Sequence, residues 1–221
     1  MTQLPAEIFA RIERTGILAV LVVDRAKDAA PLARALLDGG IDAIELTLRT
    51  EAAIDAIRTI KRETPEMLVG AGTVLSAEQV RRAAEAGADF ALAPGMNPTV
   101  VRAAQTIGLP FVPGTATPSD IERALECGCR TLKFFPAEPS GGLPYLKSMA
   151  APYAHLDVRF IPLGGLNADN AVGYLGDPLV AAVGGSWIAG RKSIADGAWP
   201  TITALARQIV LKTKDAHSQR R

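Results

Sequence analysis

Gly40-Ile41-Asp42-Ala43-Ile44 reads as the end of one helix and the start of one strand: a glycine able to close the helix, then a short apolar run. The same join recurs at Gly87-Ala88-Asp89-Phe90-Ala91, Gly108-Leu109-Pro110-Phe111-Val112 and Gly128-Cys129-Arg130-Thr131-Leu132. It returns after Gly176, at Leu179-Val180-Ala181-Ala182-Val183. These five glycines lie 47, 21, 20 and 48 residues apart, so each long interval has room for one more unit. Met67-Leu68-Val69-Gly70 and Val158-Arg159-Phe160-Ile161 fill the two places. With Ile17–Val23 in front, eight strands are predicted, starting near residues 17, 42, 67, 89, 110, 130, 158 and 180.

The segments between the strands carry helical spacing, as in Ile54, Ile57 and Ile60 or Val100, Ala104 and Ile107. Helix starts are marked by Ser76 with Gln79, by Asn97-Pro98 and by Thr117-Pro118, each a capping residue in the expected register. Eight short strand–helix units predict an α/β chain folded as one (β/α)8 TIM barrel, with an open doubly wound sheet as the alternative. No linker divides the 221 residues, so one domain is expected over 1–221, with a polar C-terminal tail from about 212.

Composition narrows the function. Lysine plus arginine number 24 against 23 acidic residues, a net charge of +1. Nucleic-acid binding through counterion release needs a concentrated basic surface, and that balance argues against it. The apolar run Ile17–Val23 is far short of the roughly 20 residues of a membrane span. The charged N-terminal segment before it is no secretory signal, so no membrane association and a cytoplasmic location are expected. Cys127 and Cys129, one residue apart, read as small residues at a turn. With only His155 and His217 in the chain, a Ser-His-Asp triad or a histidine-rich zinc site is disfavoured, and no metal is expected.

In such a barrel the chemistry sits where strands end. On the sixth strand, Thr131, Lys133 and Phe135 share one face and Leu132 and Phe134 the other. The apolar face belongs against the helices, which turns Lys133 into the barrel. A dehydrated amine there attacks a carbonyl to form a Schiff base, or else the lysine snorkels out or pairs with a carboxylate. Glu45, flanked by Ile44 and Leu46, faces inward by the same alternation. It reads either as a proton carrier beside an imine or as the partner of Arg49 or Lys133 in an ion pair. Arg49 offers a fork for a substrate carboxylate, or a surface ion pair. The glycines closing the last two strands, Gly164-Gly165 and Gly184-Gly185 with Ser186, suit a phosphate at this end of a barrel, or only turns. Gly70-x-Gly72 begins like a dinucleotide fingerprint, but Leu75 breaks it.

Glu45-Leu46-Thr47-Leu48-Arg49-Thr50, Val69-Gly70-Ala71-Gly72-Thr73-Val74-Leu75, Lys133-Phe134-Phe135-Pro136-Ala137-Glu138 and Gly184-Gly185-Ser186-Trp187, taken together, resemble the 2-keto-3-deoxy-6-phosphogluconate (KDPG) aldolase family, which also acts on 4-hydroxy-2-oxoglutarate. The likeness runs over about residues 15–190. It implies a class I aldolase, commonly a homotrimer, that splits its substrate into pyruvate and glyceraldehyde 3-phosphate, a phosphorylated aldehyde. The resemblance gives Lys133 the Schiff base and Glu45 the proton transfers. It gives Arg49 and Thr73 the pyruvate carboxylate, Pro94 and Phe135 the pocket around it, and Gly164, Gly165, Gly185 and Ser186 the phosphate. A covalent imine on Lys133 then replaces any cofactor. One position departs from the pattern. The KDPG-cleaving members usually carry Pro-Thr-Gly-Gly where this chain has Pro162-Leu163-Gly164-Gly165, so Leu163 takes the place of a threonine expected to contact a substrate hydroxyl. An aldolase for the C4 epimer or for an unphosphorylated keto acid stays open on that ground. Two further alternatives are an isomerase using Glu45 as base and a non-catalytic phosphosugar-binding barrel.

Overall fold

The computed structural model describes residues 4–218. In chain order, α1 (Ala6–Thr15) precedes β1 (Ile17–Leu21), followed by α2 (Ala29–Asp38), β2 (Ala43–Thr47), α3 (Ala53–Glu63), β3 (Leu68–Gly72), α4 (Ala77–Glu85) and β4 (Phe90–Leu92). Next come α5 (Pro98–Ile107), β5 (Phe111–Val112), β6 (Gly114–Thr115), α6 (Pro118–Glu126), β7 (Thr131–Phe134) and α7 (Gly142–Ala150). The chain finishes with β8 (Arg159–Pro162), α8 (Ala171–Leu175), β9 (Val183–Gly185), α9 (Arg191–Ala195) and α10 (Trp199–Ser218). All strand pairs are parallel, in the order β5-β4-β3-β2-β1-β9 and β6-β7-β8.

Two joins close these runs into a ring. β5 and β6 are one barrel strand interrupted at Pro113, which has no N–H to give to the ladder, although its carbonyl still accepts from Lys133 N–H at 2.8 Å. β8 meets β9 through parallel bridges at Phe160–Val180 and Leu163–Gly184. The closed ring sets the open-sheet alternative aside. Seven predicted strand starts are met within one residue. The last is three residues late, because the chain changes neighbours there. Phe160 of β8 donates its N–H to Leu179 O and accepts from Ala181 N–H, and only from Val183 does the strand lie along β1.

Helix caps follow the sequence closely. Thr117 and Asp120 form a reciprocal capping box with Pro118 at the first helical position, and Asn97 accepts from Thr99 N–H. Ser76 caps α4, but Gln79 reaches back to Leu75 N–H. On α5, Val100 and Ala104 are buried while Ile107, in the last turn, stays exposed.

Two apolar layers result. The outward strand faces pack on the helices, and a smaller interior cluster fills the barrel with Leu18, Leu68, Phe90, Leu92, Val112, Ile161 and Leu163. Leu4 and Ile12 belong to this inner cluster, so the segment around α1 plugs the N-terminal end. The sequence reading assigned no element there. The spacing of Ile8 and Ile12, with Glu7, Arg11 and Arg14 on other faces, was the available signal. Full burial of Ile12 contributes about 1.5–3 kcal/mol. At the other terminus, α10 continues through Ser218, past the point where the polar tail was expected to begin. His217 lies outside the residues whose side chains are described.

Candidate active site

Leu132 and Phe134 join the outer layer, and Lys133 between them enters the barrel. Ile44 and Leu46 likewise face outward and leave Glu45 inside. The two inward side chains meet: Lys133 Nζ donates to Glu45 Oε1 at 2.9 Å and to Oε2 at 3.1 Å. They are 6% and 1% exposed, so the lysine does not snorkel and the carboxylate is not a surface group. Two isolated charges at this depth would be costly, and each neutralises the other. Phe135 supplies a further wall, with Nζ 5.4 Å from its ring centroid.

The carboxylate has room only because position 72 carries no side chain. A Cβ on Gly72 would fall 2.2 Å from Glu45 Oε1 and 2.4 Å from Cγ. This accounts for a glycine that matched half of a nucleotide motif. Just beyond it, Thr73 holds a left-handed backbone at φ 57°, unusual for a residue with a branched side chain, at the edge of the site.

Lys133 and Glu45 form the floor of a cavity of about 360 Å3 that opens at the C-terminal ends of the strands. Arg49, Thr73, Pro94, Phe135, Leu163, Gly164, Gly165 and Ser186 all line it. Of the residues singled out in the sequence, Gly185 alone does not. Alternation on β9 turns its neighbour Gly184 to the cavity, and a Cβ on Gly185 would point into the Trp187 ring. Gly184 in turn leaves space for Leu163, whose Cγ would lie 2.4 Å from a Cβ there.

The ring order separates two sides of the mouth. Arg49, Thr73 and Pro94 follow β2, β3 and β4; Gly164, Gly165 and Ser186 follow β8 and β9. Arg49 is exposed and forms no ion pair among the described residues, since the carboxylate four positions back is taken by Lys133. Its planar fork faces the cavity available to an anion.

Sequence reasoning missed Thr47, Arg191 and the wall residues Val20 and Val22. Val20 and Val22 alternate along the first strand run and were legible by that period. Thr47, whose hydroxyl donates to Leu21 O at 2.9 Å, follows the same rule from Glu45. Arg191 had no local signal. It reaches Asp24 with two bonds, Nε to Oδ2 at 2.8 Å and Nη2 to Oδ1 at 2.6 Å. That bonding holds the Asp24 carboxyl below its usual range. Among the described residues, no three His, Cys, Asp or Glu side chains converge as metal ligands.

A closed (β/α)8 barrel with a buried lysine–carboxylate pair at the floor of its mouth, and an unpaired arginine at the rim, defines an enzyme of the imine-forming kind. Comparison with known proteins gives the family. Residues 8–205 match the model described as "KDPG and KHG aldolase". The 2-dehydro-3-deoxy-phosphogluconate aldolase of Treponema pallidum is 46% identical over 201 residues, 91% of this chain and 95% of that protein. A crystal structure of KDPG aldolase from Legionella pneumophila, with pyruvate captured at low pH as a covalent carbinolamine intermediate, superposes with a TM-score of 0.86. It is 39% identical and the match covers 91% of this chain and 97% of that one. The KDPG aldolase of Zymomonas mobilis with 3-phosphoglycerate gives 0.83 at 40% identity, covering 92% and 94%. The chain belongs to the KDPG and KHG aldolase family.

Proposed function

We infer that this protein is a class I aldolase that reversibly cleaves KDPG to pyruvate and D-glyceraldehyde 3-phosphate, with 4-hydroxy-2-oxoglutarate as a second substrate yielding pyruvate and glyoxylate. The observation that carries the reading is the buried Lys133–Glu45 pair at the cavity floor. Transfer of the ammonium proton to Glu45 frees the amine to add to the C2 carbonyl. The carbinolamine then loses its hydroxyl, protonated by Glu45, as water. In the resulting iminium, the C3–C4 bonding pair flows to nitrogen while Glu45 takes the C4 hydroxyl proton. An aldehyde leaves, and the enamine that remains is protonated at C3 and hydrolysed to pyruvate and free lysine. The iminium is the electron sink, so the scheme needs no metal or other cofactor. Arg49 and Thr73 hold the pyruvate carboxylate, Pro94 and Phe135 shape the pocket around it, and Gly164, Gly165 and Ser186 hold the phosphate. The pyruvate captured covalently in the Legionella relative supports the same course.

Borohydride trapping tests this. Reduction in the presence of pyruvate, with and without EDTA, is expected to leave a pyruvate-derived adduct on Lys133 in equal yield. Absence of an adduct, where a control aldolase is trapped, favours the isomerase or the binding barrel. A yield that falls in EDTA and returns with one divalent ion refutes the metal-free scheme. Assembly as a homotrimer goes with the family reading, and a light-scattering mass of one chain at micromolar concentration overturns it. Among the described residues no helix is long and apolar enough to cross a membrane.

Leu163 bears on selectivity. It is 3% exposed, packs in the barrel interior and lines the cavity, presenting methyl groups to the substrate. An unmade bond to a buried hydroxyl costs about 1–3 kcal/mol, roughly one to two powers of ten in rate. We therefore expect weak discrimination between KDPG and its C4 epimer, sharpened toward KDPG by Leu163→Thr. The ratio of kcat/KM for the two epimers checks it. A strong KDPG preference in the wild type, unaltered by the substitution, removes Leu163 from the selectivity.

A further inference from the structure

We propose that Arg191 is a phosphate-binding residue of this site, held in reserve by Asp24 and exchanged to the phosphorylated end of the substrate on binding. The proposal rests on the phosphate assignment made above and extends it to a residue outside the motifs that carry the family likeness. Three observations support it. Arg191 lines the same cavity as Lys133, and does so beside Ser186 and Gly190 on the side of the mouth that carries Gly164 and Gly165. Its only ion-pair partner among the described residues is Asp24, in the loop that follows β1, the ring neighbour of β9. That pair presents the guanidinium edge, with Nε and Nη2 on two oxygens of one group, the geometry in which arginine also receives a phosphate.

Exposure makes the exchange inexpensive. The Arg191 side chain is 62% and Asp24 38% exposed, and ion pairs so open to water hold weakly. A phosphate monoester carries close to two negative charges at neutral pH and three acceptor oxygens, against one charge on the aspartate. Asp24, kept ionised by Arg191 itself, competes for the same edge until substrate arrives. The neighbouring cations Arg25, bonded to Asp28 and Ala195 O, and Lys192, paired with Asp196, do not line the cavity. Arg191 is thus the cation on this side of the mouth that both lines the cavity and has a weakly held partner that substrate can replace.

The test compares kcat/KM for KDPG with kcat/KM for unphosphorylated 4-hydroxy-2-oxoglutarate. Arg191→Ala is expected to lower the KDPG:4-hydroxy-2-oxoglutarate ratio about tenfold, chiefly through KM for KDPG. Asp24→Asn moves it the other way, by roughly two- to fivefold, because the competing carboxylate is gone. In the Arg191→Ala background that gain disappears. If Asp24→Asn still raises the ratio there, Asp24 acts through its charge alone and the exchange is wrong. Ser186→Ala distinguishes the phosphate site from the role of Arg191 within it. A ratio lowered by Ser186→Ala but not by Arg191→Ala sinks the role of Arg191 and keeps the phosphate site. A ratio insensitive to both overturns the phosphate site itself.

Discussion

Lys133→Ala is expected to lower kcat for KDPG cleavage by at least about 10^4-fold, on the order of 5 kcal/mol of barrier, since no other amine lines the cavity to form the imine. Stability should fall as well, for a separate reason. Glu45, 1% exposed, is left without its buried partner. Removing one member of a buried pair costs about 3–5 kcal/mol, an upper figure here because the cavity admits water. The two effects are separable. Lys133→Met combined with Glu45→Gln removes both charges and should recover much of the thermal stability of the single variant, with no recovery of turnover. Circular dichroism reports the fold and a thermal melt the stability, alongside steady-state release of pyruvate. Turnover near that of the wild type in Lys133→Ala would defeat the imine mechanism, since the C3–C4 bond would then break with no amine at the cavity floor.

Gly72→Ala is the second large effect, and its cause is space. The added Cβ would sit 2.2 Å from Glu45 Oε1, 2.4 Å from Cγ and 2.7 Å from Cδ. The carboxylate cannot swing clear at no cost, because it is buried and bonded to Lys133 through both oxygens. Either Glu45 is displaced or β3 moves away from β2, with which it pairs in the register Glu45–Gly70 and Thr47–Gly72. Overpacking of this kind costs about 1–3 kcal/mol of stability. A proton carrier misplaced by about 1 Å costs on the order of 10^2 in kcat. Lys133 remains in this variant, so borohydride trapping of pyruvate should persist while multiple-turnover cleavage falls. Wild-type kcat together with an unshifted melting temperature would show that Glu45 is free to move, against the packing described here.

Much of this is legible in the chain alone. Side-chain direction on a strand has a period of two and depends only on local backbone geometry, so Leu132-Lys133-Phe134 and Ile44-Glu45-Leu46 suffice to turn the lysine and the carboxylate inward. Helix closure at Gly40, Gly87, Gly108 and Gly128, and the caps at Asn97 and Thr117, are local in the same sense. They account for strand starts met almost to the residue. What the chain alone left open are the facts that depend on which strands become neighbours. Lys133 and Glu45 are 88 positions apart, and whether Glu45 would bond Lys133 or Arg49 was decided by closure of the ring. The late start of β9, where the chain passes from β8 to β1, follows from where the partner strands lie. The empty space at Gly72 is defined by a side chain on another strand. The meeting of Asp24 with Arg191, 167 positions away, brings the two ends of the barrel sheet together and has no trace in either segment. Periodicity and capping are properties of a few consecutive residues, whereas distance across the barrel is set jointly by all its strands and their connections.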